Sequence, residues 1–159
     1  MAEKSSVPEE GKKAPAFSLK AGSGETVKLS DLEGKPVVVY FYPKDDTPGC
    51  TIEAKGFQEH LGEFERAGAA VVGISPDGTE SHCKFADKYG LTFTLLTDED
   101  HEVAQEYGVW VEKSQQGRTY WGVQRATFLV DQAGKIAKAW PKVKPEGHAE
   151  EVLGAIRGL

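Results

Sequence analysis

Between positions 37 and 42 the chain runs Val-Val-Val-Tyr-Phe-Tyr without a polar break. A β-branched and aromatic run of this kind marks a strand buried on both faces. The period then changes: Ala54, Phe57, Leu61 and Phe64 recur at steps of three and four. That spacing predicts an amphipathic helix over roughly 48–67, stopping near Gly68. Residues 69–75 predict a second buried strand, and Asp77-Gly-Thr-Glu80 has the form of a capping box opening a helix that stops at Gly90. Residues 93–96 form a short strand signal, and Asp98 can cap a helix that ends at Gly108. Strand signal returns at 120–124 and Ala126–Val130, and Asp131-Gln-Ala-Gly134 turns the chain into Ile136–Trp140. Ala149, Val152, Leu153 and Ile156 mark a closing helix, and near the start 17–20 and 26–29 flank Gly22-Ser-Gly24 as a β-hairpin. Strands alternating with helices, then a hairpin and a helix, predict an α/β fold: a central sheet flanked by helices on both faces. The pattern does not give the order of the strands.

Composition narrows the picture without changing it. The 159 residues fit one domain, 39% hydrophobic and 28% charged, with net charge −6 and no basic stripe. That balance argues against nucleic acid or an anionic membrane as a partner. No apolar stretch approaches a membrane span or a secretory signal, so the cytoplasm is the expected location. Residues 1–12 read as a loose tail and 13–159 as the single domain. Four scattered histidines and two cysteines lack metal-ligand spacing, so neither a metal nor a cofactor is expected.

Chemistry therefore turns on the neighbourhood of Cys50 and Cys83. Cys50 follows Pro43-Lys-Asp-Asp-Thr47-Pro48-Gly49, just beyond a buried strand, where open α/β sheets place their sites. Thr47 suits an N-cap and Pro48 the first helical position, which puts Cys50 in the first turn. Free backbone N–H groups and the positive end of the helix dipole favour a thiolate there. A buried cysteine that only fills space at a helix start fits this setting poorly.

The run Phe41-Tyr-Pro-Lys-Asp-Asp-Thr-Pro-Gly-Cys50-Thr resembles the peroxiredoxins of the bacterioferritin-comigratory-protein, or peroxiredoxin Q, type. The likeness extends through Ala14-Pro-Ala-Phe17, Val72-Gly-Ile-Ser-Pro-Asp77, Phe85-Ala-Asp-Lys-Tyr-Gly90 and Leu95-Leu-Thr-Asp98. It continues in Gly108-Val-Trp110, Gln124-Arg-Ala-Thr-Phe128 and Lys142-Val-Lys144. The resemblance implies a thioredoxin-like fold and a thiol peroxidase that reduces hydrogen peroxide and organic hydroperoxides, with antioxidant defence as its purpose. It further implies that Cys50 attacks the peroxide, Thr47 hydrogen-bonds it, Pro43 shields the thiolate and Arg125 contacts sulfur and substrate. Arginine suits that role because it stays cationic and presents several donors in a fixed fork. Glu53 either orients Arg125 or simply favours its helix dipole, and Tyr42 and Trp110 either line the pocket or pack in the core.

Other chemistries fit less well. A thioredoxin-type oxidoreductase would carry a second cysteine where Thr51 to Glu53 stand, and a cysteine phosphatase would carry an arginine where Gly56 stands. A Cys–His hydrolase finds no motif around any histidine, and a non-enzymatic redox sensor has no use for Thr47 with Arg125. One departure from the resembled pattern concerns the second thiol. Many members carry a resolving cysteine at the position of Lys55, others near Phe85-Ala86; here Cys83 stands one turn before Ala86. The implied cycle closes through a Cys50–Cys83 disulfide recycled by thioredoxin; the alternative is a one-cysteine cycle using an external thiol. A monomer is expected, with a dimer as the alternative.

Overall fold

The structure, a computed structural model, describes residues 7–159. In chain order it comprises β1 (Ser18–Ala21), β2 (Thr26–Lys28), a 3-10 turn (Leu29–Leu32), β3 (Val37–Phe41), α1 (Pro48–Glu59), α2 (Leu61–Arg66), β4 (Ala70–Ser75) and α3 (Thr79–Tyr89). There follow β5 (Thr94–Thr97), α4 (Glu102–Glu106), β6 (Trp110–Gln115), β7 (Arg118–Val123), β8 (Ala126–Val130), β9 (Ile136–Trp140) and α5 (His148–Arg157). A seven-stranded mixed sheet has the order β2-β1-β5-β4-β3-β8-β9, and β6 and β7 form a separate two-stranded ribbon.

The all-apolar strands sit where that composition requires. Every residue of β3 and of β8 is buried. β3 runs parallel to β4 on one side and antiparallel to β8 on the other. Side chains of β3 alternate between two cores. Val37, Val39 and Phe41 join Phe17, Leu96, Tyr107 and Phe128 on one face. Val38 and Tyr40 join Phe57, Phe64, Phe85, Val152 and Ile156 on the other, under α1, α3 and α5.

Three expectations are corrected, and one strand is added. The long helix over 48–67 is two helices, because the backbone leaves helical pairing at His60 (φ −99°, ψ 6°). The ribbon strand β6 has no apolar periodicity, only Trp-Val-Glu-Lys-Ser-Gln, and pairs with β7 through the turn at Gln116-Gly117, both at positive φ. The capping box does not form: Gly78 occupies the N-cap of α3, and the Asp77 carboxylate instead accepts from the Ser75 hydroxyl at 2.7 Å. Asp98 serves α4 without being its N-cap, accepting from the backbone N–H of Val103 and Ala104. Of the expected tail, residues 1–6 lie outside the described residues. Gly11 N–H donates to the Ile136 carbonyl at 2.8 Å and Lys12 accepts from Ile136, so backbone pairing begins within the expected tail.

Candidate active site

β3 delivers the chain to the site. Tyr42 N–H still donates to Ile74 O at 3.0 Å, and Pro43 then begins a loop that closes at Pro48, the first residue of α1. Asp46 holds a left-handed conformation (φ 57°), with its carboxylate taken by Lys88 Nζ at 2.8 Å and Tyr89 OH at 2.6 Å. Asp45 is buried and turned to α3, accepting from Tyr42 OH at 2.6 Å and Ser81 OH at 2.8 Å and lying 2.7 Å from His82 Nδ1. Thr47 is the N-cap residue of α1 by backbone position, but its hydroxyl caps nothing. It donates to Lys44 O at 2.8 Å within the loop.

Cys50 falls third in α1 and is 1% exposed. Thr51 N–H is the first amide of the helix to reach back, to Thr47 O. The Gly49 and Cys50 amides therefore belong to the first turn, whose N–H groups have no partner inside the helix. Arg125 arrives from the other side of β3. The rung pairing Phe41 with Ala126 places the residue before β8 beside the end of β3. Arg125 Nη2 lies 3.4 Å from Cys50 Sγ, and Nη1 donates to Glu53 Oε1 at 2.8 Å. Burial opposes the Arg125 charge, but the Glu53 carboxylate and the Cys50 sulfur outweigh it and hold the guanidinium pKa above its ordinary value. Glu53 is buried, and its second oxygen has no partner among the described residues. Burial pushes the Glu53 carboxyl up to about 7, against the pull of Arg125.

The structure thus brings Cys50, Glu53 and Arg125 into contact, with Thr47 and half-buried Pro43 in the loop that leads to the sulfur. Tyr42 and Trp110 are packed: Tyr42 is 1% exposed, and Trp110 stacks on the His101 ring at 3.8 Å. Two features were not found from the sequence. Lys113 of β6 donates to Val123 O at 2.6 Å, and its pKa is lowered by burial and by Arg125 while the Cys50 sulfur acts the other way. The other is the Asp45–His82 contact, which joins residues 37 apart and leaves no local signal.

Cys83 has different surroundings. It is exposed, and its thiol donates to Gly22 O at 2.9 Å, beside a cavity of about 350 Å³ that Ala86 also lines. Both cysteines are free thiols. Among the described residues no helix is long and apolar enough to cross a membrane.

The chain is similar to known proteins along most of its length. The chain matches the AhpC/TSA family over residues 10–139 and belongs to it. A putative peroxiredoxin bcp from Coxiella burnetii is 51% identical over 148 residues, 93% of this chain and 98% of that one. Peroxiredoxin Bcp of Bacillus subtilis is 46% identical over 149 residues, 94% of this chain and 95% of that one. Among solved structures, a Xanthomonas campestris bacterioferritin comigratory protein described for its alkyl peroxide reduction activity has TM-score 0.88 and 38% identity, covering 94% of this chain and 98% of that one. A Xylella fastidiosa PrxQ mutant has TM-score 0.88 and 34% identity, covering 99% and 98%. The fold is thioredoxin-like, as the resemblance implied, and the protein is an antioxidant thiol peroxidase that uses a hydroperoxide and a thiol reductant.

Proposed function

We propose that Cys50 is the peroxide-reducing thiol, supported by the Pro43 and Thr47 loop and by Arg125, with hydrogen peroxide and alkyl hydroperoxides as substrates. The observation that carries this is the Arg125 guanidinium lying 3.4 Å from Cys50 Sγ while anchored on buried Glu53. The Cys50 thiolate attacks one peroxide oxygen and the O–O bond breaks. Sulfur becomes a sulfenic acid, and the other oxygen leaves as alkoxide or hydroxide and takes up a proton. Arg125 offsets the charge moving onto that oxygen. The Thr47 hydroxyl, now donating to Lys44 O, turns to the bound peroxide, and Pro43 keeps water from the sulfur. Glu53 positions Arg125.

Cys83 then attacks the sulfenic sulfur, water leaves and a disulfide forms, which a dithiol such as thioredoxin reduces. Sulfenic acid left unresolved is open to irreversible oxidation. A disulfide requires Cα atoms about 4.4–6.8 Å apart, so the first turns of α1 and α3 open before the bond closes. The hydrogen bond of Cys83 to Gly22, away from the Cys50 loop, favours the second reading, in which an external thiol resolves Cys50 directly. The enzyme works as a monomer in the cytoplasm, where thiols stay reduced.

The test is peroxide consumption by variants. Cys50→Ser abolishes it, and Arg125→Ala slows Cys50 oxidation by about 10²-fold; turnover in the first or an unchanged rate in the second removes that residue from the site. Peptide mapping after one equivalent of peroxide separates the two resolving routes. A Cys50–Cys83 disulfide supports the first, and a persistent sulfenic acid with full turnover in Cys83→Ser supports the second.

A further inference from the structure

His82 is fully buried, and each of its ring nitrogens faces an acceptor. Nδ1 lies 2.7 Å from the Asp45 carboxylate and Nε2 lies 2.9 Å from the Leu96 carbonyl. The ring thus bridges the Asp45 carboxylate of the loop and the Leu96 carbonyl of β5. Asp45 completes the pairing: its oxygens take His82 together with the hydroxyls of Tyr42 and Ser81, and its own N–H is held by Asp77 at 2.8 Å. Polar groups this deeply buried are tolerated only when hydrogen-bonded. Either partner alone would be strongly disfavoured there, so the pair forms and separates as a unit.

Its position in the chain gives the pair a consequence. Asp45 belongs to the loop that delivers Cys50. His82 adjoins Cys83 in the first turn of α3, where its N–H reaches Gly78 O. The remaining ties between loop and helix, Asp46 to Lys88 and Tyr89, are exposed and correspondingly weak. We propose that the buried Asp45–His82 pair is a positioning element of the peroxidase reaction, holding the Cys50 loop in its peroxide-reactive form and making the loop and the first turn of α3 open together. Opening at either end costs the same buried pair, so one opening uncovers Cys50 and frees the start of α3, next to Cys83 and its bond to Gly22. The coupling to resolution rests on Cys83 as the resolving thiol; the holding of the Cys50 loop does not.

His82→Leu and Asp45→Asn each remove the pair, and three measurements decide. Rapid-quench alkylation in a Cys83→Ser background reads Cys50 oxidation alone, and the rate falls by about tenfold as the reactive form loses population. In the chain with both cysteines, Cys50–Cys83 disulfide formation moves the opposite way and quickens by about tenfold. A variant of matched thermal loss elsewhere, Ile136→Val, leaves both rates as in the wild type, which a merely structural role of the pair would not predict. In the wild type, the amides of Thr51 and His82 exchange hydrogen through openings of equal free energy. Unchanged Cys50 oxidation in a folded variant, or widely different openings at Thr51 and His82, overturns the proposal. Should no disulfide form even in the wild type, the resolving role of Cys83 falls, while oxidation and exchange still judge the pair. If both variants fail to fold, Ser81→Ala removes one donor to Asp45 and shifts the oxidation rate and exchange in the same directions by a smaller factor; no shift there overturns it equally.

Discussion

Gly49 lies under the Arg125 guanidinium: a Cβ built there would stand 3.0 Å from Nη2 and 3.4 Å from Pro145 Cγ. Gly49→Ala therefore pushes the guanidinium off the Cys50 sulfur, while the added methyl removes backbone entropy from the unfolded chain and favours the helix by roughly 0.5–1 kcal/mol. The expected result is a peroxide rate lower by about tenfold in a protein of equal or higher thermal stability; loss of both together would count against it. Glu53 makes a prediction about pH. Its carboxyl is raised from the ordinary 4.5 to about 7 by burial. The folded chain thus holds a proton that the unfolded chain releases, and this favourable contribution is complete below about 4.5 and lost as pH rises through about 7. Relative to Glu53→Gln, the wild type should lose about 3 kcal/mol of stability across that window. Denaturant titrations of both proteins at pH 4.5 and 8 measure it, and parallel pH profiles would contradict the burial argument. Of these residues Cys50, Thr47, Pro43, Arg125 and Glu53 were legible because a contiguous motif or a helical turn carries them. Lys113, Asp45 and His82 were not, since each gains its meaning only from a partner distant in sequence.

At the scale of elements, legibility followed burial. Strands β3 and β8 announce themselves because both faces are covered and the composition has no choice. Strand β6 is hidden because its ribbon stands outside the main sheet and its residues are half-buried or exposed. The turn at Gln116-Gly117 was the available signal, a two-residue link with φ positive at both positions. Helix α3 shows the opposite case. Its N-terminal signature was misassigned, since Asp77 serves Ser75 and Asp45 instead of a cap. Its stop was correctly marked by Gly90, which is left-handed at φ 66°, ψ 35° and lets Leu91 N–H reach Ala86 O at 2.9 Å. No atom lies within 4 Å of a Cβ built on Gly90, so the substitution tests backbone conformation alone. Gly90→Ala should cost roughly 1 kcal/mol, read as a thermal midpoint lower by a few degrees with peroxide kinetics unchanged.

The whole molecule is organised by β3, which divides two cores and carries the catalytic loop at its end. Phe128, on β8, is completely buried and packs edge-on against Phe41 and beside Tyr107 on the face opposite Cys50. Phe128→Ala leaves a cavity there and should cost about 3–5 kcal/mol in urea unfolding, while the folded fraction reacts with peroxide at the wild-type rate. A large kinetic loss in the folded protein would show that the site senses the far core. The rung joining Phe41 to Ala126 has one more consequence, in time. Cys50 follows one end of that rung, in the first turn of α1, and Arg125 directly precedes the other, at the start of β8. After a turnover resolved by Cys83, the Cys50 loop must close and the first turns of α1 and α3 rewind. Such steps take about 0.1 to 1 μs, so the enzyme returns to readiness far faster than sulfur chemistry or an encounter with its reductant proceeds.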